Sequence, residues 1–262
     1  MRLATGILLA AVLAMAMTTG RAGQAGERAA AAAVIEAAIA SPDRPESDRA
    51  QDERRKARDL LEFAGVAPGM RVFDAFSAGG YYTELLSRVV GERGEVIAYN
   101  NAAYARFAAK GIATRYTGDR LPNVRQLTVE VEELELAPRS LDAVFFVMSY
   151  HDLYWRPLDR SWLPTDPALM LRKLHAALKV GGVVVVQDHV AAPGGDTAAV
   201  VDRLHRIDPA VVRGDFERAG FAFEAASPML AHPDDDHTRQ VFDPDIRGRT
   251  DQFVFRFRRP GP

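Results

Sequence analysis

The stretch that most constrains this chain is Val72–Thr83, Val-Phe-Asp-Ala-Phe-Ser-Ala-Gly-Gly-Tyr-Tyr-Thr. An apolar strand, Arg71-Val72-Phe73, runs into an acid, Asp74, then into a turn of small residues, then into a helix opening at Tyr82. Strand, tight turn and helix make the first unit of a doubly wound α/β sheet, and the turn lies at the carboxyl end of the strand, where such sheets bind ligands. Ser77-Ala78-Gly79-Gly80 keeps side chains small where backbone must approach a ligand.

The pattern after this unit repeats it. Strands are expected at Glu95–Tyr99, Val124–Val129, Leu141–Met148 and Val183–Gln187, with helices at Tyr82–Val90, Ala102–Lys110, Asp166–Leu178 and Asp208–Ala219. Leu141–Met148 is the most apolar run, as a central parallel strand buried on both faces requires. Phe221–Ala226 and Gln252–Arg258 alternate, and would close the sheet as an antiparallel pair. The fold class is therefore α/β: a Rossmann-like, seven-stranded, mostly parallel sheet with helices on both faces and an antiparallel last strand. A length of 262 residues, 48% of them hydrophobic, is enough for one such core.

Ahead of it, Gly26–Ala40 reads as an alanine-rich helix and Ser47–Phe63 as a charged one, a helical extension over 26–64 preceding the domain at 65–262. Arg2, the apolar run Leu3–Met17 and the small residues of Gly23-Gln24-Ala25 have the pattern of a cleavable signal peptide over 1–25, the alternative being an uncleaved anchor. The expectation is export to the periplasm, with no membrane contact beyond the signal. Cleavage would remove Arg2 and Arg21 and move the formal charge from −2 to −4. Without a basic excess nothing argues for nucleic acid, and the expected partner is a small molecule. There is no cysteine, hence no thiolate metal site or nucleophile.

Four stretches carry a resemblance: Asp74-Ala-Phe-Ser-Ala-Gly-Gly-Tyr-Tyr-Thr-Glu84, Ser149-Tyr-His-Asp-Leu-Tyr-Trp155, Leu204-His-Arg-Ile-Asp-Pro209 and Val241-Phe-Asp-Pro-Asp-Ile-Arg-Gly-Arg-Thr-Asp251. From Arg44 to Phe257 the chain resembles the class I S-adenosylmethionine-dependent methyltransferases, and more narrowly a bacterial group of predicted, often exported, members. The resemblance implies S-adenosylmethionine as cofactor and methyl transfer to a small or aromatic acceptor. It implies that Asp74 and the turn Ala75, Phe76, Ser77, Ala78, Gly79, Gly80 and Tyr81 cradle the methionine part. Asn100 would face the ribose, Glu130 and the adjacent Val131 the adenine, and Tyr150 and His151 would floor the site. The family has glycine where this chain has Phe76 and Ala78, and an acid where it has Asn100.

Chemistry is expected where His151-Asp152 ends the fourth strand and Asp188-His189 the fifth, because neighbouring parallel strands bring these ends to one rim. His151 is the expected base, with Asp152 or Asp188 orienting it. Tyr150, Tyr154 and Trp155 would pack against the acceptor. Two alternatives stand beside this: His-Asp as a turn cap, or a divalent metal on His151, Asp152, Asp188 and His189, though methyl transfer without metal is the reading preferred. A third function class is a non-catalytic small-ligand binder on the same fold. His205 and Arg206 read as a lid or as a surface pair, Asp208-Pro209 as a helix cap, Asp243 and Arg247 as a loop pair, Asp234–Asp236 as a solvated loop, and His175 as structural.

Overall fold

The structure is a computed structural model that describes residues 26, 29–158 and 162–261. The signal-peptide expectation at 1–25 lies outside the described residues. Among these, no helix is long and apolar enough to cross a membrane.

Seven strands form one sheet: β1 (Arg71–Ala75), β2 (Glu95–Asn100), β3 (Val124–Thr128), β4 (Leu141–Val147), β5 (Leu178–His189), β6 (Ala222–Ser227) and β7 (Gln252–Arg258), in the order β3-β2-β1-β4-β5-β7-β6. β7 runs antiparallel to both its neighbours, and the pairs from β3 to β5 are parallel. Alternation along each strand splits the core in two. Phe73, Val144, Phe146, Val184 and Val186 face one way, toward helices Pro167–Ala177 and Pro209–Arg218. Val72, Ala143, Phe145, Val183 and Val185 face the other, toward α1 (Ala57–Ala64), α2 (Tyr81–Val90) and the helix over 29–40. Each fully buried Leu, Val or Phe contributes roughly 1.5–3 kcal/mol, so this two-sided burial is what holds the sheet.

The remaining helices are α3 (Ala102–Phe107), α4 (Ala109–Arg115), α5 (Pro167–Ala177), α6 (Thr197–Leu204) and α7 (Pro209–Arg218). Asp166 and Asp208 cap α5 and α7 by accepting from the Ala168 and Ala210 amides, each with proline at the first helical position.

The structure departs from the sequence expectation at four elements. Ser47–Phe63 is not one helix but two single turns, Glu46–Arg49 and Asp52–Arg55, followed by α1, and left-handed Lys56 (φ 47°) makes the break before α1. The break lets Asp48 and Asp52 turn to Arg115 and Arg44 while Leu60 and Leu61 turn to the core. Ala102–Lys110 is likewise two helices, α3 and α4, and the second runs on to Arg115. β5 starts at Leu178 rather than Val183, bending at Gly181-Gly182, where a Cβ on Gly182 would stand 3.0 Å from the Asp142 carbonyl oxygen. α6 occupies a stretch expected to be loop. Thr197-Ala-Ala-Val-Val has no strong helical signature, and Asp196 starts the helix by accepting from the Ala199 amide.

Candidate functional site

The site lies along the carboxyl edge of the sheet, at the end of β1 and β2 on one side and of β4 and β5 on the other. At the first corner β1 delivers Asp74, which is buried and accepts a 2.6 Å hydrogen bond from Thr83 of α2. Burial outweighs that bond and pushes the Asp74 carboxyl up to about 7. The turn behind it is left-handed at every second residue: Phe76 (φ 51°), Ala78 (φ 49°) and Gly80 (φ 80°). That is the backbone of an acid-x-Gly-x-Gly-x-Gly turn with two of its glycines replaced, at about 1–2 kcal/mol for each non-glycine residue held there.

Asn100, at the end of β2, sustains this shape. Its Oδ1 accepts from the Ala78 amide at 2.9 Å and its Nδ2 donates to Ser77 Oγ at 3.1 Å, so the amide expected to face a ribose is bonded to the turn. α4 packs over the glycines: a Cβ on Gly111 would stand 3.1 Å from Gly79 Cα, and one on Gly80 would stand 2.7 Å from Arg115 Cδ. Arg115 donates to the Gly79 carbonyl and pairs with buried Glu84 and with Asp48. Ala75 accepts from Ser149 through its carbonyl at 3.2 Å. Tyr81 turns away, donating to Asp52 at 2.6 Å. Glu130 accepts from the Ala102 amide at 3.1 Å, and Val131 is buried beside it.

The Phe76 ring, carried by the turn itself, is buried. It stacks on Tyr104 at 5.0 Å between centroids and touches Tyr99 at 5.3 Å and Trp162 at 5.9 Å. Within this cluster Tyr99 Oη and Trp162 Nε1 are buried without a hydrogen-bond partner. A separate cavity of about 260 Å³ opens behind Asn100, between β2–β3 and α3–α4, lined by Ala98, Ile112, Tyr116 and Thr128 among others.

At the second corner β4 ends in Met148 (φ 52°) and a single helical turn, His151–Leu153. Asp188, fully buried at the end of β5, accepts from the His151 amide at 2.9 Å and from the His189 amide at 2.8 Å, and pairs with His151 Nδ1 at 2.7 Å. His151 Nε2 faces Asp152 Oδ1 at 3.4 Å, and Tyr104 donates to the other oxygen of Asp152. Burial works against a charged His151, but the Asp152 and Asp188 carboxylates outweigh it and hold the imidazole up at about 9. Burial raises the Asp188 carboxyl too, yet the charge and hydrogen bond of His151 bring it below the usual range. Asp152 stays above that range, because burial exceeds what His151 and Tyr104 return.

Two further histidines close the corner. His189 bonds Thr250 through Nδ1 at 2.9 Å, and burial drives it down to about 4, so it is neutral. His205, the left-handed residue (φ 49°) that ends α6, places its ring 5.7 Å from His151, 5.2 Å from Trp155 and 5.1 Å from Phe242. Burial and the neighbouring His151 charge bring His205 down to about 4 as well. Left-handed backbone at a non-glycine residue concentrates at functional sites.

The two corners share one aromatic wall. Tyr104 stacks on Phe76 and bonds Asp152, while Trp162 touches Phe76, Tyr104 and, at 5.5 Å, Trp155. His151, Asp152, Asp188 and His189 are therefore brought together, with Trp155 beside them. Tyr150 and Tyr154 are not. Both donate to Asp215 of α7, at 2.8 and 2.5 Å, on the far side of the turn. Tyr104, Arg115, Trp162 and His205 belong to the site and were not singled out as such from the sequence, except His205 as a lid. Tyr104 follows β2 by only a few residues, a position that could have marked it.

Arg206 is no surface residue: it is fully buried and bidentate with Asp235, at 2.8 and 3.0 Å. Asp235 is accordingly not part of a solvated acidic loop. Asp243 does shape its loop with Arg247, but through the backbone, its carbonyl accepting from the Arg247 amide at 2.9 Å; its carboxylate accepts from the Asp245 amide at 2.9 Å and faces Arg239 at 3.6 Å.

No family model matches the chain, and no curated protein matches its sequence. Solved structures do match in fold. The chain is similar to an S-adenosylmethionine-dependent methyltransferase from Aquifex aeolicus, with TM-score 0.56 and 19% identity over 84% of this chain and 96% of that one. It is similar to an arsenic(III) S-adenosylmethionine methyltransferase from Chlamydomonas reinhardtii, with TM-score 0.51 and 17% identity over 87% and 73% of the two chains. It is also similar to the 4+2 cyclase SpnF, with TM-score 0.52 and 15% identity over 80% and 81%. These likenesses establish the Rossmann-like methyltransferase fold.

Proposed function

We propose that this chain is an enzyme of the methyltransferase fold, transferring a methyl group from S-adenosylmethionine to a small or aromatic acceptor at the His151 rim. The observation that carries the reading is the His151–Asp188 pair at 2.7 Å, set at the carboxyl ends of β4 and β5 beside an aromatic wall. Methyltransferase neighbours with the same fold support methyl transfer in general, and the wall of Tyr104, Trp155 and Trp162 supports the class of acceptor.

The cradle fits the cofactor in backbone and polar atoms. The turn keeps left-handed geometry at residues 76, 78 and 80, and Tyr99 Oη and Trp162 Nε1 are buried polar atoms without a partner. One side chain stands against it, the Phe76 ring. Ala75–Gly80 and Glu130 would hold the group, which supplies an electrophilic methyl on a sulfonium. The chain's own part is then to orient the acceptor and hold its proton. Asp188 fixes Nδ1 of His151, so Nε2 is the nitrogen at which a proton is held or passed. Tyr104 fixes Asp152 against it.

Because the Phe76 ring is buried in an aromatic cluster at the turn, a second reading is also favoured by a specific observation: a ligand-binding protein that keeps the fold without this cofactor. Calorimetric titration of the full chain with S-adenosylmethionine and S-adenosylhomocysteine separates the two. Methyl transfer requires saturable binding of both. Absence of binding by the chain and by its Phe76→Gly variant would leave the second reading.

Export, and action in the periplasm, is proposed on the pattern of residues 1–25 alone. N-terminal sequencing of the protein from its native cell tests it, an intact Met1 being the contrary result.

A further inference from the structure

We propose that His151, Asp152 and His205 form a binding site for a borderline first-row divalent cation of the Zn²⁺ or Mn²⁺ kind. The proposal deepens the reading of the rim as the reacting centre and rests on it; with the ion bound, His151 Nε2 is a ligand and the acceptor's proton is lost to an ion-bound oxygen instead. Three observations carry it, and none involves the glycine turn.

The first is convergence. One ligand atom from each of the three residues lies within 4.8 Å of the others, and His151 Nε2 already stands 3.4 Å from Asp152 Oδ1. Two ligands bound to one ion at about 2.0–2.2 Å each stand roughly 3–3.5 Å apart, so this pair has ligand spacing and only His205 must close in. His205 lies half-buried at the end of α6, and its ring nitrogens have no hydrogen-bond partner among the described residues.

The second is that both inner ligands are oriented from behind. Asp188 accepts Nδ1 of His151, which leaves Nε2 as the ligating nitrogen. Tyr104 donates to one oxygen of Asp152, which leaves the other. Asp188 is itself fixed by two backbone amides, of His151 and His189. A carboxylate behind a ligating histidine is the outer arrangement that metal sites use to set tautomer and ring orientation.

The third is the donor set and its surroundings. Two imidazoles and one carboxylate suit zinc, manganese or iron(II) over magnesium or calcium, which take oxygen alone. Two buried carboxylates, Asp152 and Asp188, concentrate negative charge there, and the Trp155 and Phe242 rings pack on His205. Three protein ligands leave positions for an oxygen of water or of the acceptor. The ligand set differs from the one the sequence suggested: Asp188 is consumed in holding His151, His189 in bonding Thr250, and His205 takes their place.

The test uses tag-free full chain, stripped with chelator and titrated with Zn²⁺ alone by calorimetry, with elemental analysis of the product and Co²⁺ visible absorption as a second probe. One ion per chain is expected. Binding should weaken at least tenfold in His205→Ala and in His205→Phe, the latter keeping the ring packing without a ligand atom. Asp188→Asn, acting from behind, should weaken it by about 10–100-fold. His237→Ala, a histidine paired to Asp251 away from the cluster, should leave it unchanged. Absence of binding by the unmodified chain, or His205 variants that bind as tightly as it does, would overturn the proposal. Neither S-adenosylmethionine nor an acceptor is present, so failure here leaves the methyl-transfer reading standing, and failure of that reading leaves this one.

Discussion

The two corners of the sheet edge differ in what they have kept. At the β1–β2 corner the backbone persists: three left-handed residues in alternation, with Asn100 bonding the turn in place. The Phe76 ring is packed on Tyr104 beside it, and Arg115 lies over the glycines. At the β4–β5 corner the left-handed residues, Met148 and His205, stand singly, and what marks the corner is titratable chemistry, His151 between two carboxylates with two neutral histidines beside it. The fold fixes where a ligand meets the protein, and side chains decide which ligand.

The comparison breaks most visibly at Asp188. If the rim is an electrostatic unit, Asp188→Ala leaves a buried charged imidazole facing only Asp152, and the chain should lose about 3–5 kcal/mol in urea unfolding. A loss below about 1 kcal/mol would mean that the rim is solvated and carries no such unit.

The turn corner has its own electrostatic signature. Asp74 keeps its proton in the folded chain to about pH 7, whereas in the unfolded chain it ionises near 3.8. Between those values the unfolded state has released a proton that the folded state still holds, so stability falls as pH rises through that window. The fall attributable to Asp74 should be on the order of 2–4 kcal/mol, seen as a declining melting temperature from pH 4 to 7, and Asp74→Asn should flatten it. An equal decline in Asp74→Asn would place the titrating group elsewhere.

Next in size is the plug itself. Phe76→Gly removes a buried ring, worth about 3–5 kcal/mol in a core, and relieves about 1–2 kcal/mol of left-handed strain. A net loss of about 2–3 kcal/mol is expected by chemical denaturation. Ala78→Gly relieves strain with little lost packing and should gain about 0.5–1 kcal/mol after the added freedom of the unfolded chain is counted. A loss there would show that the alternating turn is not strained.

The fold was legible because its signals are local. The apolar run of β4, the Asp-Pro starts of α5 and α7, and the small-residue turn after β1 each announce themselves within a few residues. The rim was legible in part for the same reason: His151-Asp152 and Asp188-His189 sit at strand ends, and topology makes neighbours of strand ends. What escaped depends on long-range packing. Arg206 meets Asp235, and Tyr104 meets Asp152, across separations of 29 and 48 residues. Tyr150 and Tyr154 stand beside His151 in sequence, yet the single helical turn at His151–Leu153 sends their hydroxyls to Asp215. The left-handed conformations of Phe76, Ala78 and His205 also leave no mark in residue type, since each stands where glycine would have revealed it.

The central claim is that the turn remains a cofactor cradle and that one ring stands in it. The most direct test is calorimetric titration of the full chain and its Phe76→Gly variant with S-adenosylhomocysteine under identical conditions. If the ring must leave before the ligand enters, the unmodified chain pays that equilibrium in apparent affinity, and the variant should bind roughly tenfold tighter or more. Absence of binding in both would contradict the claim and make the shape of the turn a matter of fold alone.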